Sequence, residues 1–411
     1  MKKFAFIFAI YLLSSINLFA GGFQVNLQGQ KEAGMGHTGT GLVLDNSTVF
    51  FNPGGMSFLD SLKGVSFGFN LIFPRTTFLE TSPGTYTSNI EPHVATPINL
   101  YSVFQFKKLK KLSAGIGIYN PFGSLLQWPN DWKGQFLIQK VDLKTFFIQP
   151  TLSYKLNEKW GVGLGFVFAT GNFTLQQSIP IQNTSGNYGQ GNLSGNANGY
   201  GFNGGIFYKA TKKLSIGFDY RSQVNVKVAK GSANFTVPSS VAEYFPTTTF
   251  STQLKLPQVA TIGIGYAITN KISLALDINY VGWKSYDSLN IDFAQHTENL
   301  KDLHSPKMYQ NVFIYRIGGQ YLLSNKWTVR LGAYYDMSPI PNGYFSPETP
   351  DENKIGITSG ASYRITKKIH MDLSLLYIEG LKRTDYNPLT NFGGTFKEKA
   401  VIPGGSIEYT F

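Results

Sequence analysis

Nucleophile and metal chemistry has little material in this chain. Its 411 residues include no cysteine and only five scattered histidines. That excludes thiolate sites, disulfides and cysteine nucleophiles, and leaves no obvious zinc ligand set. Two short motifs imitate enzyme signatures. Gly34, Gly36 and Gly39 fit G-x-G-x-x-G, with Asp60 about twenty residues further on, but no apolar strand precedes them. Gly64, Ser66 and Gly68 fit G-x-S-x-G, yet they lie on an alternating strand with no helix after it. No Ser–His pair can be placed on one strand face, so no enzyme activity, cofactor or metal is expected. The remaining functional chemistry is aromatic and cationic. The segment 121–136 holds Phe122, Trp128 and Trp132, and the segment 232–250 holds Phe235, Tyr244 and Phe245, with a short helix expected at 239–245. Clustered apolar side chains on loops suit capture of a hydrophobic solute. They equally suit packing of one loop on another. Arg221, Arg316, Arg330 and Arg364 could grip a carboxylate by a bidentate pair, or could pair with Asp219, Asp277 and Asp372.

The composition constrains where such groups can sit. Charged residues are 15% and aromatics also 15%, with 44 glycines and a net charge of +12. A soluble domain carries roughly 25% charge, so this balance favours a β-structure with an apolar exterior. Lys2 and Lys3, an apolar run over 4–13 and a small residue at Ala20 have the order of a secretory signal peptide, 1–20. No later stretch approaches the ~18 apolar residues of a spanning helix. An exported chain of this kind can enter a membrane as a closed barrel. The basic balance does not point to nucleic acid, because many lysines fall at turns, where anionic lipid headgroups would meet them.

A repeat organises the remainder. An aromatic residue is followed five positions later by lysine at Phe106/Lys111, Tyr154/Lys159, Tyr208/Lys213, Tyr266/Lys271, Tyr321/Lys326 and Tyr363/Lys368. Each pair brackets a short polar turn, and period-two alternation follows, as in Ile272, Leu274, Leu276 and Ile278. Long polar connections separate the hairpins, at 80–94, 121–136, 180–195, 232–250, 290–305, 338–352 and 383–395. Six turns join twelve strands. One more enters near 63–79 and one leaves near 395–411, which predicts a fourteen-stranded antiparallel transmembrane β-barrel with both termini periplasmic. Tyr154, Trp160, Tyr266, Tyr321, Trp327 and Tyr363 would form a headgroup girdle. A β-propeller would need four short strands per repeat rather than two long ones. The terminal Phe411, with Tyr409 and Ile407 alternating before it, resembles the signal read by the barrel-assembly machinery.

Residues 21–60 do not alternate. They are Gly-rich, contain Asn52-Pro53, and carry Val43, Leu44, Val49, Phe50, Phe51 and Met56, which are too apolar for a solvated tail. A compact, partly helical hatch plugging the lumen is expected, with the barrel occupying 61–411. Here a specific resemblance emerges. Gly22-Phe23-Gln24, Gly34-Met35-Gly36, Gly39, Asp45 and Asn52-Pro53-Gly54 are similar to the N-terminal hatch of the FadL/TodX family of outer-membrane transporters, whose third motif residue is usually Ala. Tyr119 to Gly123, Tyr220-Arg221-Ser222, Trp283, Tyr335 to Pro341 and Pro350-Asp351 extend the likeness along most of the chain. The resemblance implies passive uptake of hydrophobic compounds across the outer membrane, long-chain fatty acids first and aromatic hydrocarbons as the alternative. It implies a ligand contact for Phe23 and a kinked third strand that opens the wall sideways, while the apolar loops themselves make Phe122, Trp128, Trp132, Tyr244 and Phe245 the expected capture groove. Asn120, Pro121 and Gly123 are the candidates for that kink, although an ordinary strand end fits them too. Arg221 is the candidate head-group ligand. Outer-membrane lipids and a hydrophobic solute are the expected partners of a monomer. A non-transporting barrel, either adhesin or porin, is the rival class; a porin should lack the plug.

Overall fold

The structure, a computed structural model, describes residues 21–59, 63–106 and 108–411. The expected signal peptide and Asp60 lie outside the described residues. Fourteen antiparallel strands form the wall, several of them interrupted. They are β1 (Lys63–Asn70, Phe73–Leu79), β2 (Thr87–Asn89, Ile98–Gln105), β3 (Leu112–Tyr119, Gly123–Gln127), β4 (Lys140–Lys155), β5 (Trp160–Gln182), β6 (Tyr188–Lys209) and β7 (Leu214–Arg221, Val224–Thr236). They continue as β8 (Thr248–Leu256, Val259–Ala267), β9 (Ile272–Val281, Ser288–Phe293), β10 (Leu303–Pro306, Val312–Leu322), β11 (Trp327–Asp336), β12 (Lys354–Arg364), β13 (Ile369–Gly380, Arg383–Asn387) and β14 (Phe392–Thr410). Neighbours in sequence pair in space, and β1 closes on β14 in the register Val65↔Tyr409 and Phe69↔Gly405. Closure removes the free edges that hydrocarbon cannot solvate.

The repeated turns have a physical cause. The Thr211 hydroxyl accepts the N–H groups of Lys213 and Leu214 at 3.1 and 3.0 Å. Thr269, Ser324 and Thr366 do the same two and three residues on, and Asn157 does so through its amide oxygen. These side chains satisfy the turn backbone locally. Each repeat lysine then gives its carbonyl to the neighbouring hairpin: Lys111 to Lys155, Lys159 to Lys209, Lys213 to Ala267, Lys271 to Leu322, Lys326 to Arg364 and Lys368 to Thr410, all at 2.8–2.9 Å. The 42–58-residue spacing is therefore the repeat of one hairpin docking on the next.

The outer face is apolar and bare, with Leu164, Ile317, Leu331, Ile357 and Ile407 exposed. The inner face carries Asp219, Asp277, Arg316, Arg330 and Asp372, all buried. Arg364 keeps the lumenal parity, opposite His370 and in line with Ser362 and Thr358, but it is not buried. It is exposed beside the periplasmic turn, where β12 has already left the lumen. The extracellular strands also outrun the expected loops. β5 runs to Gln182 and β6 resumes at Tyr188, so most of 180–195 is sheet. Glycine and asparagine, both depleted in strands, dominate there and mask the pattern. The helix expected at 239–245 is a 3₁₀ turn, Ser239–Tyr244.

Residues 21–59 lie inside the wall and contact strands around its circumference. Two helices of four residues, α1 (Gln30–Ala33) and α2 (Thr48–Phe51), precede a 3₁₀ turn, Pro53–Phe58. Helices so short are unstable alone, so the wall must hold them. Close backbone approach is the means. A Cβ on Gly41 would stand 2.6 Å from the Gly263 carbonyl carbon, and one on Gly54 2.7 Å from the Gly205 oxygen. Glycine faces glycine across the hatch–wall boundary, and this accounts for much of the glycine excess.

Candidate functional site: a hatch strand across a break in the wall

Asn52 fixes the hatch turn. Its amide oxygen accepts the Gly54 N–H at 3.0 Å, and its amide nitrogen donates to the carbonyls of Thr40 (2.9 Å) and Ile206 (3.0 Å). Pro53 supplies the fixed φ of the first helical position and lies against Gly163 and Gly205. Two ionic seats hold the rest. Lys31 contacts Glu408 at 2.6 Å and Asp45 at 3.3 Å, all but out of solvent. Asp277 accepts the N–H groups of Gly39 and Thr40 at 2.9 and 3.0 Å. Within the hatch, burial pushes the Glu32 carboxyl well up. Burial also opposes the Asp45 carboxylate, but Lys31 and the Ser47 hydroxyl and N–H hold it below its ordinary range.

The wall breaks between β2 and β3. Their ladder runs from Gln105↔Ser113 to Asn99↔Tyr119 and then stops, while β3 continues on β4 from Gly123↔Lys144. Pro121 has no N–H to give a ladder. Asn120 spans the break, accepting the Ile98 N–H at 2.9 Å and donating to the Thr145 carbonyl. The next backbone link beyond it is Glu91 N–H to the Gln127 carbonyl, 2.7 Å. Between these links lies a slot.

Residues 23–25 cover the slot from within. The Val25 N–H donates to the Pro121 carbonyl at 2.9 Å, the Gly123 N–H donates to the Phe23 carbonyl at 3.2 Å, and Gln24 bridges Phe122. Residues 23–25 thus supply the strand partner that β2 does not. A cavity of about 490 Å³ follows the slot, lined by Phe23 and Val25 on the hatch, Val94 and Pro97 on β2's approach, and Phe122 and Phe146 on the far side. Among the lining residues, Phe146 is exposed on the outer face while its neighbour Phe147 is buried.

The expected ligand residues fall into separate places. Phe23 and Phe122 come together, with ring centroids 6.3 Å apart, in a cage completed by Trp283 at 4.7 Å and Tyr286 at 5.8 Å from Phe23. The Trp283 indole N–H donates to the Gly21 carbonyl at 3.1 Å, and the Gly22 N–H donates to Asp351 at 3.1 Å. Trp283 enters the sequence reading only through the family likeness, with no ligand role, and Tyr286 does not enter it. The loss of alternation after Val281 was the available signal. Trp128 and Trp132 stack on each other at 4.3 Å and are fully buried against Phe78, Phe392 and Phe396. Tyr244 and Phe245 sit elsewhere, half-buried, with Phe245 6.0 Å from Phe235. Arg221 lies 3.5 Å over the Phe50 ring, donates to the Phe50 carbonyl and pairs with Asp219 at 3.0 Å. Its Nη2 is shared between residues 21–59 and the wall, while its Nε is buried with no hydrogen-bond partner among the described residues.

Known proteins share this architecture. Long-chain fatty acid transport protein of Salmonella typhi is 25% identical over 407 residues, covering 92% of each chain. The protein of that name from Escherichia coli K12 is 24% identical over 417 residues, again covering 92% of each. The crystal structure of a Pseudomonas aeruginosa FadL homologue superposes with a TM-score of 0.82 at 19% identity, over 95% of this chain and 100% of that one. The Ralstonia pickettii toluene transporter TbuX gives 0.69 at 18%, over 96% and 99%. Residues 11–411 match the sequence profile of the outer membrane protein transport proteins, OMPP1/FadL/TodX. A closed β-barrel with this match belongs to that family, a transporter of hydrophobic compounds in the outer membrane.

Proposed function

We propose that the protein carries hydrophobic molecules inward by passive diffusion and releases them sideways into the bilayer through the β2–β3 slot. Extracellular loop surface at Tyr244 and Phe245 collects the solute, and Phe122 lies on its way to the slot. Residues 21–60 act as a hatch. Withdrawal of 23–25 from Pro121 and Gly123 breaks two backbone hydrogen bonds and uncovers the opening. The observation that carries this reading is the hatch strand seated on the unpaired side of β3. Long-chain fatty acids are the first candidates, from the names of the relatives. Aromatic hydrocarbons are the second, and one feature favours them: Lys354, the inward-facing lysine lining the cavity, is already on two carboxylates. It lies 2.8 Å from Asp351 and 2.9 Å from Glu398. The chain works as a monomer, since its own hatch fills its lumen, and the barrel-assembly machinery inserts it. Displacement of a fluorescent fatty acid from the purified barrel tests the assignment. Displacement by oleate supports fatty acids, displacement by toluene or xylene alone moves the assignment to hydrocarbons, and no binding of either refutes both cargo assignments.

A further inference from the structure

The outward face of the wall changes character over three adjacent strands, and in a single step on β4, where Phe146 gives way to Lys144, held 3.1 Å from Asp142. On three adjacent strands an exposed apolar residue is followed, two positions nearer the extracellular end, by a charged one. Phe73 gives way to Arg75 on β1, Val401 to Lys399 on β14, and Tyr377 to Glu379 on β13. The register puts these at one height: Arg75 faces Lys399, and Glu379 faces Lys399 from the other side. Lys397 stands one outward position higher, opposite Thr77. Both lysines share one Glu379 oxygen, at 2.8 and 3.4 Å, and Glu379 is further held by the Tyr377 hydroxyl at 2.6 Å. Arg75 makes no ion pair among the described residues. Three cations therefore meet one carboxylate. Across the barrel, the exposed positions above Phe166 and Tyr200 on β5 and β6 include Asn172, Asn198 and Asn196, which are uncharged.

A cationic cluster at the rim of a lipid-facing band is where an anionic headgroup and its chains can be held together. Ion pairing supplies the first contact and apolar burial the second. Guanidinium and ammonium groups on neighbouring strands can converge on one phosphate, with Arg75 supplying the planar fork. Acyl chains descending from it would lie along Phe73, Val401, Tyr377 and Leu375. The height of the cluster, at the end opposite the periplasmic lysine turns, puts it in the outer leaflet. We propose that Arg75, Lys397 and Lys399 form a binding site for the phosphate group of an outer-leaflet phosphorylated glycolipid. Glu379 draws both lysines onto one oxygen, competes with the phosphate for them and so limits the affinity. Only β2 separates this site from the slot, so the bound lipid borders the exit.

The test uses the full-length barrel purified from outer membranes, with native mass spectrometry counting the glycolipid retained. The variants are R75S/K397Q/K399Q and, separately, E379Q, with heat-shifted gel mobility checking that each is folded. Wild type should retain at least one glycolipid, the triple variant at least tenfold less, and E379Q more than wild type. Enzymatically dephosphorylated glycolipid should bind wild type no better than the triple variant does. Equal retention by wild type and triple variant overturns the proposal, as does reduced retention by E379Q. Phosphatidylglycerol binding as tightly as the glycolipid would show a general anionic-lipid surface and also overturns it. Release of the lipid by millimolar inorganic phosphate would reassign the cluster to free phosphate.

Discussion

At the scale of the residue, Gly54 is decided by two carbonyls. An alanine here would bring a Cβ to 2.7 Å from the Gly205 oxygen and 2.8 Å from the Gly161 oxygen. Gly54→Ala should cost about 1–3 kcal/mol through overpacking, read as a lower temperature for the gel-mobility shift of the folded barrel. Trp283 is decided by a single hydrogen bond and a ring. Trp283→Phe keeps most of the cage and loses the bond to the Gly21 carbonyl, a loss of about 1 kcal/mol. Its expected effect is a looser N-terminal strand, seen as faster proteolytic trimming of the folded protein near Phe23. Arg221 shows why a residue type does not declare its task. A lumenal arginine suits a carboxylate ligand, but here Asp219 and the Phe50 carbonyl already share its Nη2, and its buried Nε is left without a partner among the described residues.

At the scale of the element, the hatch and the broken strand are coupled. Lys31 reaches from α1 to Glu408 on β14 and to Asp45. Removing one partner of a buried ion group costs about 3–5 kcal/mol, because it strands the others. Lys31→Met should therefore unseat the hatch before it unfolds the wall, and single-channel recording should detect intermittent opening. In β3, Pro121 withholds an N–H and leaves the β2 side open. Pro121→Val supplies the missing donor. It should slow uptake of a fluorescent hydrophobic substrate severalfold while leaving barrel stability nearly unchanged. Faster uptake would argue against the slot as exit.

At the scale of the molecule, the wall stands by its own closed ladder, and the hatch depends on it. Deleting 21–55 should leave a folded barrel with a large steady conductance, whereas a barrel closed by its loops alone would stay silent. The sequence by itself determined the wall. Period-two alternation and local turn chemistry at Asn157, Thr211, Thr269, Ser324 and Thr366 involve neighbours a few residues apart, so they are visible in one dimension, and the strand count and membrane location follow. The need for a glycine-rich interior segment was legible for the same reason. Only the tertiary structure decided what meets what inside it. Phe23 joins Trp283 and Tyr286 across some 260 residues of chain, and Lys31 finds Glu408 at the far end. Trp128 and Trp132 turn inward onto β1 and β14 instead of meeting Tyr244 and Phe245. Those contacts depend on barrel closure and strand stagger, which set the neighbours of each lumenal side chain and which no local pattern records.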